Sequence, residues 1–245
     1  MILVLGGTAE ARELAAAIDG AGLRVTSSLA GRVSNPRLPA GEVRIGGFGG
    51  PQGLADWLRD HGVRAVADAT HPFAERISAA AVQACAAAGV PLLRLERPGW
   101  EQRPGDDWTW VDDLGCAAAA VPGLGSRAML TTGRQGLAAF VAVSGVWFLI
   151  RCVEQPERPL PESYELLLDR GPYTVVSEGR LIDRHRIDLL VTKDSGGDHT
   201  VAKLDAARER GLPVIIVRRP SRPDVESVSE VSAALRWVLA QAHAG

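Results

Sequence analysis

The sequence predicts an α/β protein made of two Rossmann-like domains, each with a parallel sheet. Short apolar runs alternate with helical segments along the 245 residues, which is the pattern of a parallel sheet covered by helices on both faces. The chain is long enough for two domains with separate cores. The segments 70–98 and 192–220 also align in Thr, Gly-x-Pro and Arg-Pro at a constant offset, by common ancestry or by shared βα architecture.

The elements of the first half are read from apolar runs and their flanking turn residues. The predicted strands are 2–5, 23–29, 42–47, 63–69 and 90–96, and the predicted helices lie near 9–20, 51–61 and 73–88. Gly89 follows the last of these helices, as is typical of a helix end. Residues 97–107 are rich in Pro, Gly and charge and are the predicted linker, so the domains are placed at 1–100 and 101–245.

The second half repeats the alternation. Its predicted strands are 108–111, 127–132, 146–152, 187–192 and 213–217, and its predicted helices lie near 112–120, 134–143, 161–169, 176–186, 199–210 and 228–242. The sequence does not assign the strands near the linker to one sheet or the other. An exchange of a strand between the sheets is therefore left open.

Composition excludes several functions. The formal charge of −2 predicts no attraction to nucleic acid or to a membrane surface, so small molecules are the expected partners. The longest uncharged stretches are too short for a bilayer span, and no secretory signal is recognised, so a cytoplasmic location is predicted. Cys85, Cys116 and Cys152 are far apart and are predicted to be buried thiols. The five histidines lack close metal-ligand spacing, so no metal is expected.

A glycine turn joins the first predicted strand to the first helix. Glycines let the backbone approach a phosphate, and the helix start offers free N–H groups. The turn is not a complete G-x-G-x-x-G motif, and a tight turn in any α/β protein would look similar. The candidate phosphate site consists of Gly6, Gly7, Thr8, Ala9 and Glu10.

The end of the second predicted strand bears on the choice of dinucleotide. An NAD site usually carries an acid about 20 residues after the glycines. Here the chain has hydroxyls and an arginine instead, which suit a 2′-phosphate and favour NADPH. Arg32 is alternatively an ordinary surface arginine. The glycine-rich stretch 46–50 is interpreted as a ligand-facing loop or a plain flexible loop. The candidate 2′-phosphate residues are Ser27, Ser28, Gly31 and Arg32.

The stretch VADATHPFA lies at the carboxyl end of the fourth predicted strand, the edge at which open α/β sheets bind ligands. Pro72 suits the first turn of a helix. His71 is thereby presented at the rim, where it bonds backbone or a cofactor ribose, or transfers a proton. Phe73 flanks a flat ligand or packs in the core.

Two loops of the second half occupy matching positions. Residues 131–134 follow a strand as the glycine turn does, and residues 193–197 match VADATHPFA. Lys193 is one of only two lysines in the chain. The second loop is therefore interpreted as an anion-binding loop or as a solvated turn.

Several catalytic classes are set aside. Neither tyrosine precedes a lysine by four residues, which excludes a short-chain dehydrogenase pair. The chain contains neither G-x-S-x-G nor G-x-x-x-x-G-K-[ST]. Of the catalytic classes considered, a reaction that uses a dinucleotide cofactor is the one that remains.

Taken together, these stretches resemble the precorrin-6A reductase family over nearly the whole chain. The resemblance is carried by ILVLGGTAEARELA, SSLAGR, GGFGG, DATHPFA, RLERPGW, VTKDSGG and AKLDAARERGLPVIIVRRP, in that order. It implies an NADPH-dependent reductase of cobalamin biosynthesis that reduces one double bond of the precorrin-6A macrocycle to give precorrin-6B. It also implies an active site in the cleft between the domains and handover of the tetrapyrrole to neighbouring pathway enzymes.

The resemblance implies a role for each candidate residue. Cofactor contacts are implied for the glycine turn, for the 2′-phosphate residues and for Thr132 and Gly133 in a turn of the second domain. The nicotinamide end of the cofactor is implied to face the VADATHPFA turn, which contains Thr70, His71, Pro72 and Phe73. Substrate contacts are implied for Arg134, Lys193, Ser195 and Gly196. The proton donor is His71, Lys193 or a bound water.

Three alternatives stay open. Relatives of the anaerobic route act on the cobalt-containing substrate, often with NADH. A non-catalytic NADP-binding sensor would bind the cofactor without hydride transfer. A reductase for another small substrate would be favoured by an interdomain cleft too small for a macrocycle.

Overall fold

The computed structural model describes residues 1–31, 38–197 and 200–243. It divides into two compact units, one formed by Met1–Pro98 and the chain from Pro220 onward, the other by Gly99–Arg219. Each unit contains a six-stranded sheet within these residues, and every strand pair in both sheets is parallel. The predicted fold of two Rossmann-like domains is confirmed.

Within the described residues, the first domain contains five strands and three helices before the second domain, and a short strand and a last helix after it. Its elements are β1 (Ile2–Leu5), α1 (Ala9–Gly20), β2 (Val25–Leu29), β3 (Glu42–Ile45), α2 (Pro51–Asp60), β4 (Ala65–Asp68), α3 (Glu75–Ala88), β5 (Leu92–Leu95), β12 (Ser227–Val228) and α7 (Val231–His243). The strand order is β12-β5-β4-β1-β2-β3.

The core of the first domain lies on both faces of this sheet. All four residues of β1 are buried, and so are all four of β4. Apolar residues of α1 and α7 pack on one face, and those of α2 and α3 pack on the other. Strands covered on both faces read as continuous apolar runs, which is why the sequence predicts them well.

The second domain repeats the arrangement with a 3-10 helix after its second strand. Its elements are β6 (Trp108–Val111), α4 (Leu114–Leu124), β7 (Arg127–Leu130), the 3-10 helix Arg134–Phe140, β8 (Trp147–Cys152), β9 (Tyr164–Leu168), α5 (Val175–His185), β10 (Leu189–Lys193), α6 (Ala202–Arg208) and β11 (Val214–Val217). The strand order is β6-β11-β10-β7-β8-β9.

Both sheets have the strand order typical of dinucleotide-binding sheets. From a central strand, successive strands are added first on one side of the sheet and then on the other. β1 and β7 are equivalent, and β5 and β11 each precede the edge strand of their sheet. The edge strands are exchanged along the chain, because β6 follows β5 but joins the second sheet, whereas β12 follows β11 but joins the first. The strand exchange that the sequence left open is thus present.

Three elements differ from the secondary structure that the sequence predicts. Residues 161–169 were expected to be helical, but Tyr164–Leu168 forms the edge strand β9. Glu and Leu are good helix formers, but pairing along the length of β8 overrides that weak local preference. The helix predicted near 134–143 is the short 3-10 helix, and β12 was not predicted.

The domain division also differs from the prediction. The second domain was expected to extend over 101–245, whereas the chain from Pro220 onward belongs to the first domain. Ser227 pairs with Arg94 in the sheet, and Ala234 and Val238 of α7 are fully buried in the first core. A single boundary in the sequence cannot describe a domain that is formed by two separate segments of the chain.

The three cysteines differ in their exposure. Cys85 and Cys152 are buried, but Cys116 is exposed in the first turn of α4, contrary to the prediction for that residue; none of them forms a disulfide. Burial, followed by the nearby Asp68 carboxylate, raises the pKa of Cys85 to about 12. Among the described residues, no helix is both long and apolar enough to cross a membrane.

Candidate functional site

The candidate site of the first domain lies at the carboxyl ends of β1 and β4. These strands are neighbours in register, with Leu5 beside Asp68. The chain leaves β1 toward α1 on one face and β4 toward α3 on the other. Such a point of divergence opens a crevice at the sheet edge, where ligands of doubly wound folds bind.

The glycine turn after β1 is shaped by two different constraints. The N–H of Gly6 donates to the carbonyl oxygen of Ser28 at 3.0 Å, and a Cβ on Gly6 would lie 3.4 Å from the Leu29 side chain. Gly7 has φ +118° and no heavy atom within 4 Å of an added Cβ. Gly6 thus packs against β2, whereas Gly7 leaves open space beside the backbone.

Thr8 is the N-cap of α1 and ties the glycine turn to the turn after β4. Its Oγ1 accepts a hydrogen bond from the N–H of Ala11 at 3.1 Å, which caps the helix. The same hydroxyl donates to the carbonyl oxygen of Ala69 at 2.8 Å. The two loops of the crevice are therefore held together by one buried side chain.

Glu10, predicted to contact the cofactor, lies in a salt bridge. Its Oε2 is 2.8 Å from the Nη1 of Arg97. Burial raises the pKa of Glu10, but a backbone hydrogen bond and the Arg97 charge outweigh burial and leave this pKa below its ordinary value. The salt bridge thus anchors the first turn of α1 to the chain that follows β5.

The turn after β4 presents the predicted Thr70, His71, Pro72 and Phe73. Pro72 is buried, and the two rings beside it are half-buried with their centroids 5.8 Å apart. The N–H of Phe73 donates to the Nδ1 of His71 at 3.2 Å. Because Nδ1 accepts this bond, the neutral ring carries its proton on Nε2.

A buried polar cluster below this turn was missed by sequence reasoning. Asp68 is 1% exposed, and its Oδ1 accepts from the Thr70 hydroxyl at 2.6 Å and from the Thr70 N–H at 3.2 Å. Arg94 and Arg222 lie 3.9 Å and 3.8 Å from its Oδ2. The only local signal was the acid in DATHPFA, since Arg222 comes from a distant part of the chain.

The predicted ribose side is partly described. Ser27 and Ser28 are buried at the end of β2, and the Ser27 Oγ has no hydrogen-bond partner among the described residues. Gly31 has φ +71°, where a Cβ would lie 3.0 Å from the Ile45 side chain. Arg32 lies outside the described residues.

The loop 46–50 is held by Arg44. Its guanidinium donates to the carbonyl oxygens of Gly46 at 2.6 Å and Gly47 at 2.7 Å. The same group lies 3.8 Å from the centre of the Phe48 ring. These contacts join the loop to the end of β3.

The second domain has an equivalent edge at β7 and β10. The N–H of Thr131 donates to the carbonyl oxygen of Val191 at 2.9 Å, which sets residues 131–134 beside residues 193–197. Thr132 is buried, and its hydroxyl has no hydrogen-bond partner among the described residues. Gly133 has φ +78° with open space beside it, and Arg134 forms an ion pair with Glu154 at 3.4 Å.

The loop after β10 contains the other predicted substrate residues. Lys193 is half-buried, its carbonyl oxygen accepts from the N–H of Ser195 at 2.6 Å, and Gly196 has φ +64°. Asp194, in contrast, is buried and accepts from the N–H of Trp100 at 3.1 Å. Its carboxylate also lies 3.1 Å from Arg219, so Asp194 anchors both ends of the second domain.

The predicted residues therefore form one set at each sheet edge. The first set is Gly6–Glu10, Ser27, Ser28, Gly31 and Thr70–Phe73, and the second is Thr132, Gly133, Arg134, Lys193, Ser195 and Gly196. No group of three or more His, Cys, Asp or Glu side chains suited to a metal ion occurs among the described residues.

The fold defines a protein of the doubly wound α/β class, with one candidate site at the carboxyl ends of the strands in each sheet. A family model described as precorrin-6x reductase CbiJ/CobK matches residues 1–239, and the chain belongs to this family. Precorrin-6A reductase of Rhodococcus erythropolis is 53% identical over 239 residues, covering 97% of this chain and 96% of the relative.

A second relative and a solved structure are also similar to this chain. Cobalt-precorrin-6A reductase of Priestia megaterium is 32% identical over 233 residues, covering 90% of this chain and 91% of the relative. A solved structure named CobK precorrin-6A reductase has a TM-score of 0.93 and 42% identity, covering 98% of this chain and 96% of that chain.

Proposed function

We propose that the protein is a precorrin-6A reductase of cobalamin biosynthesis, transferring hydride from NADPH to one double bond of the macrocycle to give precorrin-6B. The observation that carries the proposal is 53% identity to a precorrin-6A reductase along 97% of the chain. The reaction needs a bound hydride donor, an oriented acceptor carbon and exclusion of water.

The first domain's edge supports a nicotinamide dinucleotide as the donor. Open space beside Gly7 leaves room for a phosphate at the start of α1. The Ser27 hydroxyl, which has no hydrogen-bond partner in the part of the chain that the structure describes, offers a donor at the ribose side. Arg32 and Ser28 are proposed to contact the 2′-phosphate, which favours NADPH over NADH. The cofactor supplies the hydride, and these residues bind and orient it.

The metal-free substrate is favoured by the comparisons. The relative named precorrin-6A reductase is 53% identical, whereas the one named cobalt-precorrin-6A reductase is 32% identical. The substrate bears several carboxylates, and Arg134, Lys193, Ser195 and Gly196 are proposed to bind them. The cytoplasmic location and the handover of the tetrapyrrole stay predictions.

His71 is proposed to position the nicotinamide end rather than to donate the proton. An imidazolium carries N–H groups on both nitrogens. One of them would then face the N–H of Phe73, which donates to Nδ1 at 3.2 Å. The neutral ring keeps that bond. Lys193 or a water is the proposed source of the proton that follows the hydride.

A turnover assay tests the proposed function. We expect purified protein to oxidise NADPH in the presence of precorrin-6A, with a matching change in the tetrapyrrole spectrum. Parallel reactions with cobalt-precorrin-6A and with NADH should be slower. Cofactor binding without turnover in all four combinations would support the sensor alternative and refute the reductase.

The role of His71 predicts a limited effect of His71→Asn. Asparagine can still accept from the N–H of Phe73, so we expect the single-turnover rate to fall by less than about 10-fold with an unchanged pH profile. The exposed histidine variant His61→Asn is the control and should match the wild type. A loss of about 100-fold or more, together with loss of a pH-dependent limb, would assign proton donation to His71.

A further inference from the structure

Four side chains form a closed ring beneath the turn that carries His71. The Thr70 hydroxyl donates to Asp68 at 2.6 Å and lies 3.3 Å from the Ser78 Oγ. The Nη2 of Arg222 donates to the Ser78 Oγ at 3.0 Å and lies 3.8 Å from the Asp68 Oδ2. Each member contacts the next, so the ring closes on Thr70.

The ring is buried and carries balanced charge. The side chains of Asp68 and Arg222 are 1% and 5% exposed. Two further charges flank them, since Arg94 lies 3.9 Å from Asp68 and the Nη1 of Arg222 lies 3.2 Å from the Glu96 carboxylate. Removing one of these four charges leaves the buried set out of balance. Loss of Arg222 would leave Arg94 as the cation beside Asp68 in this set.

The members of the ring come from separate parts of the chain. Asp68 ends β4, Thr70 begins the turn, and Ser78 lies in the first turns of α3. Arg222 is 144 residues beyond Ser78, in the segment that returns from the second domain to the first. The turn after β4 is thus completed by a residue that local folding of the first 98 residues does not supply.

The ring acts on the candidate site through Thr70. The hydroxyl and the N–H of Thr70 are both held by the Asp68 carboxylate, and His71 follows directly. The carbonyl oxygen of the preceding Ala69 accepts from Thr8 at the glycine turn. A shift of Thr70 would therefore displace His71 and Phe73 relative to the glycine turn.

We propose that Arg222, paired with Asp68, is a positioning residue for hydride transfer, holding residues 70–73 in their working geometry. The inference rests on the proposed function, because the turn is taken to face the nicotinamide. Arg222 itself touches neither cofactor nor substrate in this proposal. Small displacements at a reacting centre lower rates steeply, so the effect belongs to the chemical step rather than to cofactor binding.

The main test is a set of variants at the ring. In Arg222→Gln we expect kcat and the single-turnover rate to fall about 10- to 100-fold, with the KM and Kd for NADPH within about three-fold of wild type. Arg222→Lys keeps the charge facing Asp68 and should recover part of the rate. Asp68→Asn combined with Arg222→Gln should be no slower than the slower single variant, because one missing member already opens the ring.

The control is Arg218→Gln in the same stretch of chain. This arginine pairs with Asp112 at 3.5 Å, and both side chains are more than half exposed. Its loss should leave kcat and the KM for NADPH at wild-type values. A slowed Arg218→Gln enzyme would mean that any loss of charge in this segment matters, and would overturn the assignment to Arg222.

Amide hydrogen exchange gives a readout that is independent of activity. In Arg222→Gln we expect faster exchange confined to residues 69–78, with α7 and the core strands protected as in the wild type. Faster exchange throughout the first domain would make Arg222 merely structural, and unchanged exchange with an unchanged rate would refute the ring. Absence of turnover in the wild-type enzyme would refute the proposed function instead, and localised exchange would still establish that the ring holds the turn.

Discussion

Replacing Arg151 by methionine is expected to lower the free energy of unfolding of the second domain by about 3–5 kcal/mol. Arg151 at the end of β8 pairs with Glu178 in the first turn of α5, and these residues are 7% and 2% exposed. The guanidinium also lies 4.0 Å from the centre of the Tyr173 ring. The variant would leave the Glu178 carboxylate buried without its cation. Urea unfolding of the intact chain measures the loss.

Two comparisons separate this effect from a general effect of losing an arginine. The double variant Arg151→Met with Glu178→Leu should be more stable than Arg151→Met, because no uncompensated charge is left in the core. Arg24→Met removes an exposed partner of Glu42 and should change the unfolding midpoint little. Equal effects of Arg151→Met and Arg24→Met would contradict the buried pair.

Gly7→Val is expected to weaken NADPH binding at least about 10-fold by filling the space proposed for a phosphate, and to destabilise the turn by a backbone strain of roughly 1–2 kcal/mol. Gly7 has φ +118°, which a β-branched residue rarely adopts. No heavy atom lies within 4 Å of its added Cβ, so the valine side chain would project into that open space. Titration of NADPH fluorescence with each protein measures the affinity.

Gly20→Ala is the matched control on the same helix. Gly20 is the last residue of α1, has open space beside it and lacks a positive φ. Alanine is the better helix former there, so binding should be unchanged and stability at least equal to wild type. Wild-type NADPH affinity in Gly7→Val would remove the glycine turn from the cofactor site.

The parts of the fold that could be predicted are those with a local cause. β1 and β4 read as continuous apolar runs because helices cover both of their faces. β9 did not, because its Glu and Leu residues favour a helix and only its partner strand makes it extended. The two-residue β12 is too short to leave a pattern.

The candidate site divides in the same way. The glycine turn and the Thr70–Phe73 turn are contiguous in sequence, so their residue types and their place after a strand predicted a ligand edge. The partners that hold these turns are not contiguous, since Arg97 is 87 residues from Glu10 and Arg222 is 144 residues from Ser78. A single sequence contains no signal that pairs such distant charges.

The sequence by itself determined two α/β units, most of their helices and strands, and the polar turns at the ends of the buried strands. These follow from hydrophobic periodicity and turn chemistry, which act over a few residues. Only the tertiary structure decided that the edge strands are exchanged, that α7 completes the first core and that Arg222 closes a ring beneath His71. Buried charges need partners wherever the chain can supply them, and which segment comes within reach is settled only when the whole chain has folded.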